Sequence, residues 1–164
     1  MKKQLSVILF IVGLSLASVV TKAQTTEKQP VVKVTGEVTT PLTITDADLH
    51  QYKQAIVVRK DRDGNDHTYT GVVVADILQK AGVMMNRESL TKYLLVDASD
   101  GYQVIFALAE LDKSFTDRTI ILADTVDGKP LASGDGPFRI IVQDEKKPAR
   151  CIKQVTGLKV VFAK

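Results

Sequence analysis

The chain has a single cysteine, Cys151, and no tryptophan. One thiol cannot form a disulfide within the chain, nor can it supply the several sulfur ligands of a cysteine-rich zinc site. Only two histidines are present, His50 and His67, and neither stands at ligand spacing from another histidine or from a cysteine. The absence of paired ligands favours a solvated surface position for both histidines. We therefore predict no metal-binding residue.

Catalytic motifs are also missing. No serine, histidine and aspartate stand together in a nucleophile motif, so hydrolysis has no support. The acidic segment from Asp61 to Asp66 lacks the calcium-loop spacing, because Gly64 falls at its fourth position and Val72 at its twelfth. Asp, Gly and Asn tolerate positive φ, so the segment is predicted to be a hairpin turn. We predict no catalytic residue.

The amino terminus has the pattern of a secretory signal peptide. Lys2 and Lys3 precede an apolar run over 5–20, and Thr21-Lys22-Ala23 places small residues at the −3 and −1 positions of a cleavage site. The run lies at or below the about 17–25 residues that a spanning helix needs, and a retained anchor is the alternative. We predict a periplasmic or secreted protein without membrane attachment after cleavage, divided into signal peptide 1–23, short leader 24–30 and a single domain 31–164.

The basic excess of the chain belongs to the predicted signal peptide. The sequence has 22 Lys and Arg against 19 Asp and Glu, and Lys2, Lys3 and Lys22 account for the difference. The remaining chain is balanced in charge, with no basic cluster to follow a phosphate backbone. Nucleic acid is therefore not an expected partner.

Short β-branched runs separated by turn residues dominate the rest of the sequence. Apolar residues at helical spacing between Gly71 and Gly82 predict the clearest helix, and Thr45 can cap a short helical turn before Leu49. A last strand is expected over 151–162, interrupted at Gly157. The pattern predicts an α+β fold, mainly β, with mixed sheets and short helices.

Several segments together resemble one known family. Taken in order, they match the oxidoreductase molybdopterin-binding domain of the sulfite oxidase family over roughly Val31 to Phe162, and their common order carries the resemblance. The matching segments are Val34-Thr35-Gly36-Glu37-Val38 with 41–44 and 48–49, Tyr69-Thr70-Gly71-Val72 leading into 76–82, Asp97-Ala98-Ser99-Asp100-Gly101-Tyr102, 121–123 with 127–131, 136–142 and 150–158.

The resemblance implies a molybdopterin cofactor whose metal is bound by a cysteine thiolate. In the family, that thiolate lies in the strand before the aromatic-x-Gly that opens the central helix, and the equivalent strand here is 56–60. Its end carries Arg59 and Lys60, whose cationic groups have no lone pair for a metal. Cys151 comes far later, where the resemblance implies a structural residue, so it is expected to be a small buried hydrophobe or a semi-exposed thiol.

Three functions remain open. The residues favour a non-catalytic exported module that binds a pterin-like or other small anionic ligand, or a partner protein. The alternative is a molybdopterin-dependent oxidoreductase with an oxygen ligand or a partner subunit, and the third is a structural interaction protein without a ligand. No cofactor is expected on the residues alone, although the resemblance implies molybdopterin. The predicted ligand-binding residues are Arg59, Asp100, Arg139, Lys147, Arg150 and Lys153.

Overall fold

The computed structural model describes residues 29–163. Strands account for most of the regular structure in this range, together with two short α-helices, α1 (Asp46–Leu49) and α2 (Val74–Lys80). Single 3₁₀ turns occur at Arg87–Thr91, Leu108–Leu111 and Pro148–Arg150. The strands are β1 (Val32–Gly36), β2 (Leu42–Ile44), β3 (Gln54–Lys60), β4 (Asp66–Val73), β5 (Lys92–Ala98), β6 (Gln103–Ala107), β7 (Ile120–Val126), β8 (Lys129–Pro130), β9 (Arg139–Val142) and β10 (Val155–Phe162).

The strands form two sheets. The first has the order β2-β1-β10-β5-β6, in which β1 and β10 run parallel and the other neighbours are antiparallel. The second is antiparallel, with β3 at one edge, β4 beside it, and β7 between β4 and the two strands β8 and β9. The predicted mixed-sheet α+β class is confirmed.

The core lies between the two sheets and helix α2. Val34 and Leu158 of the first sheet, Leu122 and Ile140 of the second, and Ile77 of α2 are all fully buried in one cluster. Alternate residues of β7 and β9 face the opposite way into a smaller cluster with Val57 and Tyr69. Because β7 and β9 are covered on both faces, the stretches Ile120–Ala123 and Ile140–Val142 are continuously apolar, which is typical of central strands.

Local sequence explains the two helices. The Thr45 hydroxyl accepts a hydrogen bond from the Asp48 N–H, and the Asp48 carboxylate accepts one from the Thr45 N–H, which completes a capping box. In α2 the buried residues Val74, Ile77 and Leu78 recur at helical spacing. Both predicted helices are confirmed, although α2 begins at Val74, because β4 extends to Val73.

The last strand begins later than its sequence predicts. Strand β10 starts at Val155, and Cys151 instead follows the 3₁₀ turn Pro148–Arg150. Gln154 has a positive φ of 50°, which ends the irregular segment just before the strand. The register shifts between Val155 and Gly157, so the predicted interruption is a bulge. Within residues 29–163, no helix has the length and apolar character needed to cross a membrane.

Candidate functional site

A polar cavity of about 270 Å³ opens where the turn between β3 and β4 meets the segments before β9 and β10. The turn contributes its acidic residues, the segment before β9 contributes Asp135, and β9 itself contributes Arg139. We call this space the Arg139 cavity. Its lining residues are Asp61, Arg62, Asp63, His67, Asp135, Arg139, Pro148, Cys151 and Lys153.

Arg139 lies at the centre of this cavity, and its side chain is buried. Its Nη1 atom donates to the Tyr69 hydroxyl at 3.0 Å and to Asp135 Oδ2 at 3.0 Å. The guanidinium also lies over the Tyr69 ring, 5.3 Å from its centroid. The Tyr69 hydroxyl in turn donates to Asp61 Oδ2. Burial, reinforced by this bond to Asp61, raises the pKa of Tyr69, so the phenol is protonated at neutral pH.

Arg59 is the second buried guanidinium. It points from β3 to the back of the cavity, where its Nε atom donates to Asp61 Oδ1 at 3.2 Å. Its Nη1 atom lies 3.2 Å from the Cys151 sulfur and 3.5 Å from the Glu145 carbonyl oxygen. These contacts satisfy a charge that would otherwise be costly to bury. Arg59 is therefore part of the framework behind the cavity.

Cys151 lies against Arg59, although the two residues are 92 positions apart in sequence. The thiol is 3 % exposed and receives the Val142 N–H at 3.5 Å. Burial raises the pKa of the Cys151 thiol despite the two nearby guanidiniums, so its sulfur is protonated at neutral pH. The expectation of a small buried residue is confirmed, but the sequence separation concealed its contact with the end of β3.

The rim of the cavity carries a histidine between two carboxylates. His67 Nδ1 lies 2.6 Å from Asp127 Oδ2, and His67 Nε2 lies 2.8 Å from Asp63 Oδ2. The bond to Asp127, supported by the one to Asp63, raises the pKa of His67 to about 9. The bond from His67 lowers the pKa of Asp63 to about 2. His67 is thus a cation at neutral pH, and the sequence interpretation of a merely solvated histidine missed both partners.

The structure brings together only part of the predicted ligand-binding set. Arg139 and Lys153 line the cavity, Lys153 paired with Asp135, while Arg59 lines a neighbouring cavity and contacts the lining residues Asp61 and Cys151. Asp100 lies in a neighbouring groove and accepts the Tyr102 N–H at 2.9 Å. Lys147 is exposed beside the 3₁₀ turn before Cys151.

Arg150, the sixth predicted residue, turns away from the Arg139 cavity. It donates to Glu110 Oε2 at 2.9 Å and to Glu145 Oε2 at 2.7 Å, and it covers the Phe106 ring.

Sequence reasoning missed Asp61, Tyr69 and Asp135, since an acidic or aromatic residue gives no signal of its distant partner. The one available clue was Tyr69, which stands in the aromatic-x-Gly motif.

Fold and cavity together define a two-sheet domain whose Arg139 cavity is lined by paired charges. The family model described as "oxidoreductase molybdopterin binding domain" matches residues 18–163, and the chain belongs to this family. The match begins inside the predicted signal peptide 1–23, and residues 1–28 lie outside the described part of the structure.

A solved structure gives the same fold. The chain is similar to the sulfane dehydrogenase SoxCD from Paracoccus pantotrophus, with a TM-score of 0.65 and 18% sequence identity. The likeness covers 80% of this chain but only 38% of that chain. No curated protein matches the sequence. At this identity the comparison establishes the fold, and activity has to be argued from the residues of the site.

The described residues do not fit the metal of a molybdopterin cofactor. The position at the end of β3 that the resemblance assigns to the thiolate is occupied by Arg59, and the Cys151 sulfur beside it is buried, protonated and in contact with Arg59 Nη1. The carboxylates that could supply oxygen ligands are already paired with other side chains. Asp61 is bonded to Arg59 and Tyr69, Asp63 to His67, and Asp135 to Arg139 and Lys153.

Proposed function

We propose that this protein is a non-catalytic member of its family. It keeps the fold and has the Arg139 cavity, but it does not bind molybdenum. The contact between Arg59 and Cys151 carries the proposal. A guanidinium permanently holds its proton, so it cannot coordinate a metal, and its positive charge beside the sulfur opposes a second cation there. The alternative, an oxidoreductase with an oxygen ligand, would need to break an existing ion pair at Asp61, Asp63 or Asp135.

The Arg139 cavity suits a small polar ligand with both hydrogen-bond donors and acceptors. Arg139 and Lys153 are already paired with Asp135, so a simple oxyanion would have to compete with a carboxylate for both cations. A pterin-like heterocycle instead offers neighbouring N–H groups to a carboxylate and a carbonyl oxygen to a guanidinium. Between the anionic and pterin-like ligands that the sequence left open, the charge pairing supports the pterin-like one.

Calorimetric titration of the purified protein with pterin and with inorganic phosphate tests this ligand. We expect saturable binding of pterin, little binding of phosphate, and loss of pterin binding in Asp135→Asn and Lys153→Met. Lys33→Met is the matched control, since Lys33 is exposed on β1 and does not line the cavity. Binding of phosphate alone, or equal pterin affinity in all variants, would contradict the proposal.

A partner-binding role is the second candidate, and one surface supports it. Ile56 and Val58 alternate along the outer face of the edge strand β3, with 68% and 57% of their surface exposed. Exposed apolar residues on an edge strand are typical of interaction sites. A photo-reactive residue at Ile56 should then give one discrete cross-linked product in the native host, and the same residue at Lys33 should not. Indistinguishable products from the two positions would refute the role.

We infer from residues 1–23 that the protein is exported. The charged start, the apolar run and the small residues before position 24 support cleavage after Ala23. Mass spectrometry of the protein from the periplasm or medium should find a chain that begins at Gln24. An uncleaved chain in the membrane fraction would favour the retained anchor instead.

A further inference from the structure

A second cluster of metal-ligating side chains lies where helix α1 meets strand β7. Asp46 and His50 stand four residues apart on α1 and its C-terminal cap, and Asp124 lies on β7. One ligating atom of each residue lies within 4.8 Å of those of the other two. None of the three lines the Arg139 cavity.

Asp124 is the unusual member of this cluster. Its side chain is only 5% exposed, and its Oδ2 atom has no hydrogen-bond partner within the described range 29–163. Leaving a carboxylate oxygen buried without a partner costs free energy, because its hydration is lost and nothing replaces it. The oxygen nevertheless lies 3.1 Å from His50 Nε2, so it points into the cluster.

One nitrogen of the His50 ring is held by the backbone. His50 Nδ1 lies 2.8 Å from the Asp46 carbonyl oxygen, an acceptor only, so Nδ1 carries the proton. In the neutral ring, Nε2 then presents a lone pair beside the Asp124 oxygen. Fixing Nδ1–H on a carbonyl is also how proteins orient a histidine whose other nitrogen binds a metal.

The spacing suits two ligands of one ion. Ligand atoms that each lie about 2.0–2.2 Å from a zinc ion are separated by roughly 3 Å, and their lone pairs converge beside the line that joins them. The 3.1 Å separation without hydrogen-bond alignment agrees with that geometry. Asp46 can supply a third ligand from the exposed side, since one ligating atom of each of the three residues lies within 4.8 Å of those of the other two.

We propose that Asp46, His50 and Asp124 form a binding site for a divalent transition-metal cation, with zinc the best match. One imidazole and two carboxylates are the donors that zinc accepts, and three protein ligands leave a position for water or a further ligand. The bound cation satisfies the Asp124 oxygen and joins α1 to the second sheet. Sequence spacing could not reveal the site, because Asp124 lies 74 positions beyond His50 and on a different element.

The proposal is tested with the purified protein, stripped with EDTA and titrated with zinc chloride. We expect one zinc per chain and a rise in the melting temperature on zinc addition, since an ion that binds only the folded state stabilises it. His50→Gln and Asp124→Asn should each weaken zinc binding by more than about tenfold, because even outer-shell partners are worth about 10–100-fold.

Two further variants keep the result specific. His67→Gln removes the other histidine that stands between carboxylates, and Asp76→Asn removes an exposed acid on α2, so both should leave the zinc affinity unchanged. Circular dichroism checks that Asp124→Asn still folds, and the exposed His50→Gln tests the site without a core change. No zinc binding, or loss in His67→Gln but not in His50→Gln, would overturn the proposal. The absence of zinc binding would indicate that His50 is an imidazolium paired with Asp124.

Discussion

At the scale of single residues, Arg59 is the most informative side chain. It is 5% exposed on β3, and its charge is satisfied by Asp61, the Glu145 carbonyl and the Cys151 sulfur. Breaking a buried pair by removing one partner is strongly destabilising, because the other group is left without compensation. Arg59 therefore links Asp61, Glu145 and Cys151 at the position where the family resemblance implies a metal ligand.

Replacing Arg59 should accordingly cost stability. We expect Arg59→Met to lower the free energy of unfolding by about 3 kcal/mol, since Asp61 loses a charged partner in a largely buried site. Urea unfolding followed by circular dichroism measures the change. Arg62→Met is the control, because Arg62 is exposed in the neighbouring turn and its loss should cost no more than about 0.5 kcal/mol. Equal losses in the two variants would contradict the structural role of Arg59.

The Cys151 thiol should be unreactive while the protein is folded. Burial raises its pKa, and alkylating reagents attack the thiolate. Iodoacetamide at mildly alkaline pH should modify the native protein far more slowly than the urea-unfolded protein, as followed by mass spectrometry. Similar rates in the two states would show that the sulfur is accessible, and would reopen its use as a ligand.

His67 should titrate well above the usual range for histidine. Its pKa is raised from 6.5 to about 9 by the bonds to Asp127 and Asp63. Because the folded pKa exceeds the unfolded one, the stabilisation is complete below about pH 6.5 and is lost as the pH rises through 9. Proton NMR of the ring should give a midpoint near 9, and Asp127→Asn should lower it. A midpoint near 6.5 in the unaltered protein would disprove the pairing.

At the scale of the elements, Gly71 controls how β4 pairs with β7. A Cβ atom at this position would lie 2.1 Å from the Leu122 carbonyl oxygen, a backbone atom that cannot move aside without disturbing the sheet. The register of β4 and β7 shifts at this point, between Thr70 and Gly71. Gly71 thereby fixes the position of Tyr69, two residues earlier, under Arg139.

Gly71→Ala should therefore be severe. We expect a loss of at least about 3 kcal/mol in unfolding free energy, because two central strands must separate locally. Thermal unfolding compares it with Gly134→Ala, which adds a methyl group where no atom lies within 4 Å. If the two variants melted together, the close approach of β4 to β7 would not be needed for the fold.

Sequence patterns predicted the elements better than their partners. The Thr45 cap, the hairpin turn after β3 and the α2 periodicity depend on residues a few positions apart, and all three are confirmed. The start of β10 was predicted four residues early, because Cys151 and Ile152 are apolar for packing in the core and not for strand pairing. Local pattern does not separate these two causes of an apolar run.

The candidate site was less predictable for the same reason. Arg139 and Lys153 were found through the resemblance, and both line the cavity. The contact between Arg59 and Cys151, and the cluster of Asp46, His50 and Asp124, each join residues from distant parts of the chain. Such contacts depend on how the two sheets pack, and local sequence patterns do not predict that packing.

At the scale of the whole molecule, the domain keeps the architecture of a molybdopterin-binding family, while Arg59 and Cys151 are in contact where the resemblance implies the metal ligand. The Arg139 cavity is lined by Arg139, Lys153 and three carboxylates that are already paired. We therefore propose that the fold and the cavity are retained without the redox centre.

Metal analysis of the purified protein tests this claim most directly. The protein is produced in cells that make molybdopterin, its molybdenum is measured by mass spectrometry, and oxidised pterin is measured by fluorescence after denaturation. We predict no stoichiometric molybdenum, whether or not pterin is released. One molybdenum per chain would contradict the account, since the buried Arg59 and Cys151 pair could not then be the state of the functional protein.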